Sequence, residues 1–400
     1  MEVVEQARIS TRSESVTKPQ ATRESACLEI RNAAFLGRVL EPPRYGYANA
    51  DGTLYKPSRK EIFSLFAERL NVFADKRNWL AFTAWVAAFA LAGFFIRFVT
   101  SHYFSWPLFF LGLVYSMVCL GTHGTIFLHR YSTHHAYNFK NGFWRTVCRN
   151  LSIKVIPEEI YVISHHVHHS ISDKPGDPYN PEAGWLYCFL ADANHQPVAR
   201  DLTETEYARM AALMKHTGVK VNTYEQYQRW GSLCHPLRTV THYVLNWAAW
   251  YGIFFLIGGH ALALAIFAMS AIWAFGVRTF NYDGHGGGRD KRTDGVDFHR
   301  KDLAINQIWP GYVAGEWHNN HHLYPNGARS GFLPHQLDLA WIFIRSWNRL
   351  GLVTNYRDYK EDFLEKHYRP YQQALQRQRL EVAALKVGKA TPLATQPPTN

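Results

Sequence analysis

Three long stretches of this chain carry no Asp, Glu, Lys or Arg: Trp79 to Ile96, Phe98 to Leu128, and Thr239 to Val277. At ~1.5 Å of rise per residue, eighteen helical residues span about 27 Å, close to the hydrocarbon thickness of a bilayer. The third stretch is interrupted by Gly258-Gly259-His260. The pattern therefore predicts four membrane spans in two hairpins, at about 79–99, 105–128, 240–257 and 261–279. Burial of these runs in a large soluble core is the competing reading, and charge placement argues against it. The turns 100–104 and 258–260 hold no Lys or Arg, and only Arg97 lies near that side. The remaining bases fall in the two ends and the centre, which the positive-inside rule assigns to the cytoplasm.

Outside the spans the signals are those of amphipathic helices. Thr203-Glu204-Thr205-Glu206 reads as a capping box for a helix ending near His216, with Gly218 beyond it, and residues 55–75 look similar. Residues 1–25 mix acids and bases without an apolar stretch, so no signal peptide is expected there. The Thr-, Pro- and Gln-rich end from Val387 to Asn400 reads as disordered. The expected organisation is a partly disordered cytoplasmic segment 1–54, a membrane domain 55–382 and a disordered tail 383–400. The fold class is all-α, with four transmembrane helices and a cytoplasmic helical cap.

Composition alone conceals this. A mean hydropathy of -0.25 and 19% charged residues over 400 positions resemble a soluble protein. The formal net charge of +11 is a membrane-facing bias and calls for no nucleic acid. The scattered Cys27, Cys119, Cys148, Cys188 and Cys234, with no CxxC among them, indicate a reducing compartment without a disulfide framework.

The candidate chemistry lies in the histidines. His165-His166-Val167-His168-His169 and His318-Asn319-Asn320-His321-His322 both read HxxHH, and each is expected to aim three imidazoles at one point from one helix face. Pro157-Glu158-Glu159 is a suitable start for the first of these helices. His129 and His134 emerge past the second span, and Asn281 and His285 extend the last one before Gly286-Gly287-Gly288. All fall on the cytoplasmic side. Nine histidines (129, 134, 165, 168, 169, 285, 318, 321, 322) exceed one tetrahedral zinc and imply two metals, with four or five ligands each favouring iron.

The order HxxxxH, HxxHH, NxxxH, HxxHH between two hairpins resembles the integral-membrane fatty acid desaturases, most closely their acyl-CoA (stearoyl-CoA type, delta-9) branch. Gly315-Glu316-Trp317-His318-Asn319-Asn320-His321-His322-Leu323-Tyr324-Pro325 is very like that branch's third histidine box, and Ala328-Arg329-Ser330-Gly331 continues the likeness. It covers roughly residues 75–355. The resemblance implies that His129, His134, His165, His168, His169, His285, His318, His321 and His322 bind two iron ions, with Asn281 holding a water on one of them. It implies O2-dependent removal of two hydrogens from a long-chain acyl group, near carbon 9 of an acyl-CoA. Here His166 stands where the second box usually has Arg, His135 stands where Arg usually follows the first, and Asn281-Tyr282-Asp283-Gly284-His285 is more polar than the usual NSxxH.

Two other outcomes stay open at this point. The same fold and irons can hydroxylate, or decarboxylate a fatty acid to a terminal alkene. A histidine-rich metal transporter is a different class, but its sites would sit at the midplane, where these spans hold no Asp or Glu. No HPGG word, CxxC cluster or GxGxxG supplies a further redox group, so electrons are expected from an external ferredoxin, rubredoxin or b-type cytochrome with its reductase. The expected location is a bacterial inner membrane.

Of the other histidines, His123 reads as a hydrogen-bonded core residue, His135 and His166 as solvent or headgroup contacts, and His195, His216, His235, His299 and His335 carry no spacing signal. Asp173, Asp177, Asp283 and Glu316 are candidates to steady ligand imidazoles, although Asp177-Pro178 is also an ordinary turn signal.

Overall fold

The computed structural model describes residues 35–41, 55–172, 177–178, 180–190, 197–279, 282 and 317–389. Asn281, His285, His195, His299, Asp173, Asp283 and Glu316 lie outside these residues. The described chain is predominantly helical. Helix α1 (Arg59–Leu70) starts at a capping box in which Ser58 accepts from the Glu61 amide. It is followed by α2 (Trp79–Val99) and α3 (Trp106–Thr133).

Among the described residues three helices are long and apolar enough to cross a membrane: Lys76–Val99, Trp106–Thr133 and Pro236–Thr279. The last contains α6 (Pro236–Gly276), whose backbone leaves helical geometry at Gly258 (φ -148°) and Gly259 (φ 68°). Beyond that break the chain doubles back, because the Trp247 and Phe267 rings meet at 5.7 Å and those of Tyr251 and Phe267 at 5.4 Å. A straight helix would hold residues twenty apart at about 30 Å. Only a left-handed residue permits the turn at 259, which suits glycine. Phe94 of α2 packs on Phe267 at 5.3 Å, and at Gly112 a Cβ would lie 2.6 Å from Met269 Cγ, so the missing side chain lets α3 approach α6.

The outer faces of these helices are apolar and exposed, as at Phe89, Ile96, Phe110, Val114, Leu245 and Leu256. Such a belt is costly in water and natural in lipid.

Three features add to the expected picture. The helix of the second run continues past the uncharged stretch: α3 reaches Thr133, with π-helical segments at Tyr115–Leu120 and Gly124–Thr133, and so carries His129 within the helix. The fold is not purely helical, since β1 (Tyr137–Phe139) pairs antiparallel with β2 (Val353–Tyr356), fastening the C-terminal region to the exit of α3. Helix α9 (Arg369–Lys389) runs into the stretch from 383 that was expected to be disordered. Between the long helices lie α4 (Glu158–Ile171), α5 (Glu204–Ala212, with the Thr203 capping box) and, later, α7 (His318–Leu323) and α8 (Leu339–Arg349).

Candidate metal centre

The π-helical end of α3 delivers His129, and His134 follows at its C-cap. Helix α4 delivers His165, His168 and His169, and α7 delivers His318, His321 and His322. The acids at the start of α4 are buried and already engaged. Glu158 Oε1 accepts from Lys154 Nζ and Arg149 Nε at 2.8 Å each. Glu159 accepts the Leu233 and Cys234 amides at 2.7 Å. These acids therefore pin α4 to its surroundings, whereas the sequence offered only a helix-dipole role for them.

The structure gathers the described histidines into two groups, His129, His134, His165, His169 and His321 in one and His168, His318 and His322 in the other, with ligand atoms within 4.8 Å of one another in each. The expectation that each HxxHH word converges on one point is thus overturned. Residues four apart stay together, so His165 and His169 enter the first group while His318 and His322 enter the second. The middle ligands cross over: His168 joins the second group and His321 the first. Successive residues turn by about 100° around a helix, which separates 168 from 169 and 321 from 322 by that angle. The groups adjoin, with the His169 and His322 rings stacked at 4.5 Å.

The nitrogen spacings test the fit to a metal. In the first group His129 Nε2 and His321 Nε2 are 3.0 Å apart, His321 Nε2 and His169 Nε2 3.0 Å, and His169 Nε2 and His165 Nε2 3.1 Å. In the second, His322 Nε2 lies 3.1 Å from His318 Nε2 and 3.4 Å from His168 Nε2. A ring nitrogen carries either one proton or one lone pair, so such a chain cannot be satisfied by hydrogen bonds alone. Ligands at ~2.1 Å from a cation stand about 3.0 Å apart at right angles and about 3.4 Å apart in a tetrahedron, which are the separations seen. The buried Nε2 of His134 has no hydrogen-bond partner. Burial, then repulsion from neighbouring imidazoles, drives the pKa values of His134, His165 and His321 well below the ordinary range, leaving neutral rings with lone pairs to donate. The donor set fits imidazole-preferring transition metals.

The fatty acid desaturase family profile matches residues 104–374, more than half of the chain. The chain belongs to the fatty acid desaturase family. It is 26% identical over 286 residues to delta-9 acyl-lipid desaturase 1 of Arabidopsis thaliana, covering 66% of this chain and 81% of that one. It is 25% identical to icosanoyl-CoA 5-desaturase of Limnanthes douglasii, covering 63% and 66% of the two chains. It is 24% identical to the chloroplastic palmitoyl-monogalactosyldiacylglycerol delta-7 desaturase of Arabidopsis thaliana, covering 70% of each. No solved structure matches the chain.

As a member of an oxidoreductase family, this desaturase supports its histidines with residues that spacing left unranked. Both carboxylate oxygens of Asp177 lie 3.0 Å from His168 Nδ1, so the Asp-Pro turn also carries the acid that fixes this imidazole. His123 is the expected core residue, held by the Cys148 carbonyl at 2.7 Å and the Ser152 hydroxyl at 2.8 Å. His135 is half-buried, stacking on His216 at 4.2 Å and pairing with Asn138 Oδ1 at 2.6 Å. His166 is largely enclosed as well, and burial lowers its pKa to about 4. Arg130 and Asp338, both buried, form an ion pair beside the site that the sequence reading missed altogether.

Proposed function

We propose that this chain is an O2-dependent desaturase that introduces a cis double bond into a long-chain saturated acyl group, with two irons held by the two histidine groups. The observation that carries the reading is the crossing of the HxxHH words, which builds two adjacent nitrogen-lined sites from the same pair of helices. His285, and a water held by Asn281 on one metal, would supply the remaining ligands. The reaction balances as one saturated acyl chain, O2, two electrons and two protons giving one unsaturated chain and two waters. When bound, the irons supply the oxidising power that an inert methylene requires and no side chain provides.

The chain's own residues bind, orient and exclude water. His129, His165, His168, His318 and His321 are almost fully buried, so the site is shielded from bulk solvent. An open pocket beside α3, lined by Leu120, Gly124, Leu128, Ile156 and Trp273 together with the polar His123, Ser152 and Lys154, offers a partly apolar wall for methylene groups. The three apolar helices, with the longest folded at Gly258-Gly259, support a four-span reading, and the base-poor turns support a cytoplasmic side for the histidines and both termini. Acyl-CoA near carbon 9 is the proposed substrate, from the third-box likeness and an acyl-CoA relative. The electron donor is an external ferredoxin, rubredoxin or b-type cytochrome, attracted to the basic face.

Expression in a heterologous host with gas chromatography of methyl esters tests the reaction, and metal analysis of purified protein tests the site. New monounsaturated chains and about two irons per chain are expected. Terminal alkenes without new unsaturation would replace the reading with decarboxylation, and one tightly held zinc would overturn the two-metal site.

A further inference from the structure

Helix α7 is only six residues long, His318–Leu323, and the residues just before Trp317 lie outside those described. So short a helix has little stability of its own, and its ligands must be placed by tertiary contacts. Those contacts form a closed circuit. Asn320 Nδ2 donates to the Ser330 carbonyl at 2.8 Å and to Gln336 Oε1 at 3.1 Å, while the Trp317 amide donates to Ser330 Oγ at 3.2 Å. The Ser330 and Gly331 amides donate to Asp338 Oδ2 at 2.8 and 3.1 Å. Asp338 meets Arg130 through both oxygens at 3.0 Å, and Arg130 also donates to the Ala328 carbonyl at 2.7 Å and to Ser330 Oγ at 2.8 Å. Arg130 follows His129 in sequence, and His129 Nε2 lies 3.0 Å from His321 Nε2.

We propose that the Arg130–Asp338 pair is a positioning device that holds α7 against the end of α3 and thereby sets the His129–His321 spacing in the five-histidine group. The inference rests on the reading of these two histidines as ligands of one metal. A buried ion pair is seldom more stabilising than apolar packing of the same volume, so stability alone gives little reason for one here. Geometry gives a better one. Arg130 offers fixed, forked donors, and Asp338 collects them together with the amides of the loop that carries Asn320, so the two histidine words are joined by directional bonds instead of adaptable contacts. The pair's hydrogen bonds go to the Ala328 carbonyl, to Ser330 and to the loop amides, and it acts through the residues it holds.

The test uses the full chain in detergent micelles, loaded with Co2+ or Fe2+. The double variant Arg130→Gln/Asp338→Asn removes both charges together, and Ser330→Ala is a milder second variant. Three quantities are read: metal retained against a chelator, the visible Co2+ spectrum, and the melting temperature of the metal-free protein. The double variant is expected to yield one of its two metals at about tenfold lower chelator concentration, with an altered Co2+ spectrum, while the other metal is retained as in the parent. Ser330→Ala is expected to shift retention in the same direction by less. Retention and spectra equal to the parent in both variants would overturn the proposal. So would parallel loss of both metals with a lowered metal-free melting temperature, which would mark the pair as purely structural. If the unmodified protein binds no Co2+ or Fe2+, the ligand reading itself fails and the proposal falls with it.

Discussion

The two histidine groups are built from the same two words and differ in what encloses them. The five-histidine group draws on three separate segments of chain, and four of its members are buried, with His169 half-buried. Among the described residues the three-histidine group draws on α4 and α7, and it is steadied by a carboxylate, Asp177 behind His168. Asn281 and His285, expected near one of the two metals, lie outside the described residues. One group is thus held, among the described residues, by packing of α3, α4 and α7, and the other by α4 and α7 with a charged hydrogen bond. The two metals should therefore respond to different substitutions.

The largest effect that bears on this difference is removal of a central ligand. His321 Nε2 lies 3.0 Å from both His129 and His169, so His321→Ala opens the middle of the five-histidine group. Product is expected to fall below detection in the methyl-ester assay, and bound iron to drop to about one per chain. His195→Ala, which removes no predicted ligand, should retain activity. Equal activity of these two variants would break the site assignment, and retention of both irons by His321→Ala would break the division into groups.

Asp177→Asn probes the other side of the comparison. The change keeps an acceptor for His168 Nδ1 but removes the charge that raises the ring's basicity. Metal affinity at the three-histidine group should fall by roughly 10- to 100-fold while the five-histidine group keeps its metal. A chelator titration followed by metal analysis would then show two separate steps, wider apart than in the parent. Loss of both metals in one step would mean that the groups behave as a single unit.

Much of this was open to reading in the sequence, and the reasons are specific. Runs such as Trp79–Ile96 declare themselves because charge in hydrocarbon is costly, and Gly258-Gly259 marks the fold-back because few other residues tolerate the turn. The HxxHH words give the ligand types. They also contain the crossing, since a 100° turn per residue forbids adjacent histidines from sharing a target, and a fuller use of helix geometry would have separated His168 from His169. What could not be read was distant or structural. Arg130 and Asp338 are 208 positions apart, and nothing local links them. The π-helical end of α3, which carries His129 deeper than the uncharged run suggests, has no sequence signature of its own. Asp177 was visible but carried two meanings, and only its 3.0 Å approach to His168 Nδ1 chooses between them.

The smallest expected effect marks where the comparison should cease to matter. His135, next to His134 and held at φ 47°, stacks on His216, whose Nε2 lies 2.9 Å from the Tyr131 carbonyl. These rings could be mistaken for a third ligand cluster, yet neither falls in a metal group. His216→Ala removes the stack and one hydrogen bond, a loss of about 1 kcal/mol, and should lower the melting temperature by a few degrees. Metal retention should be unchanged in both steps of the chelator titration. If the variant instead lost metal selectively from the five-histidine group, the support of His134 would extend through His135 to His216, and the firmness of that group would depend on α5 and its cap as well as on the helices that bear its ligands.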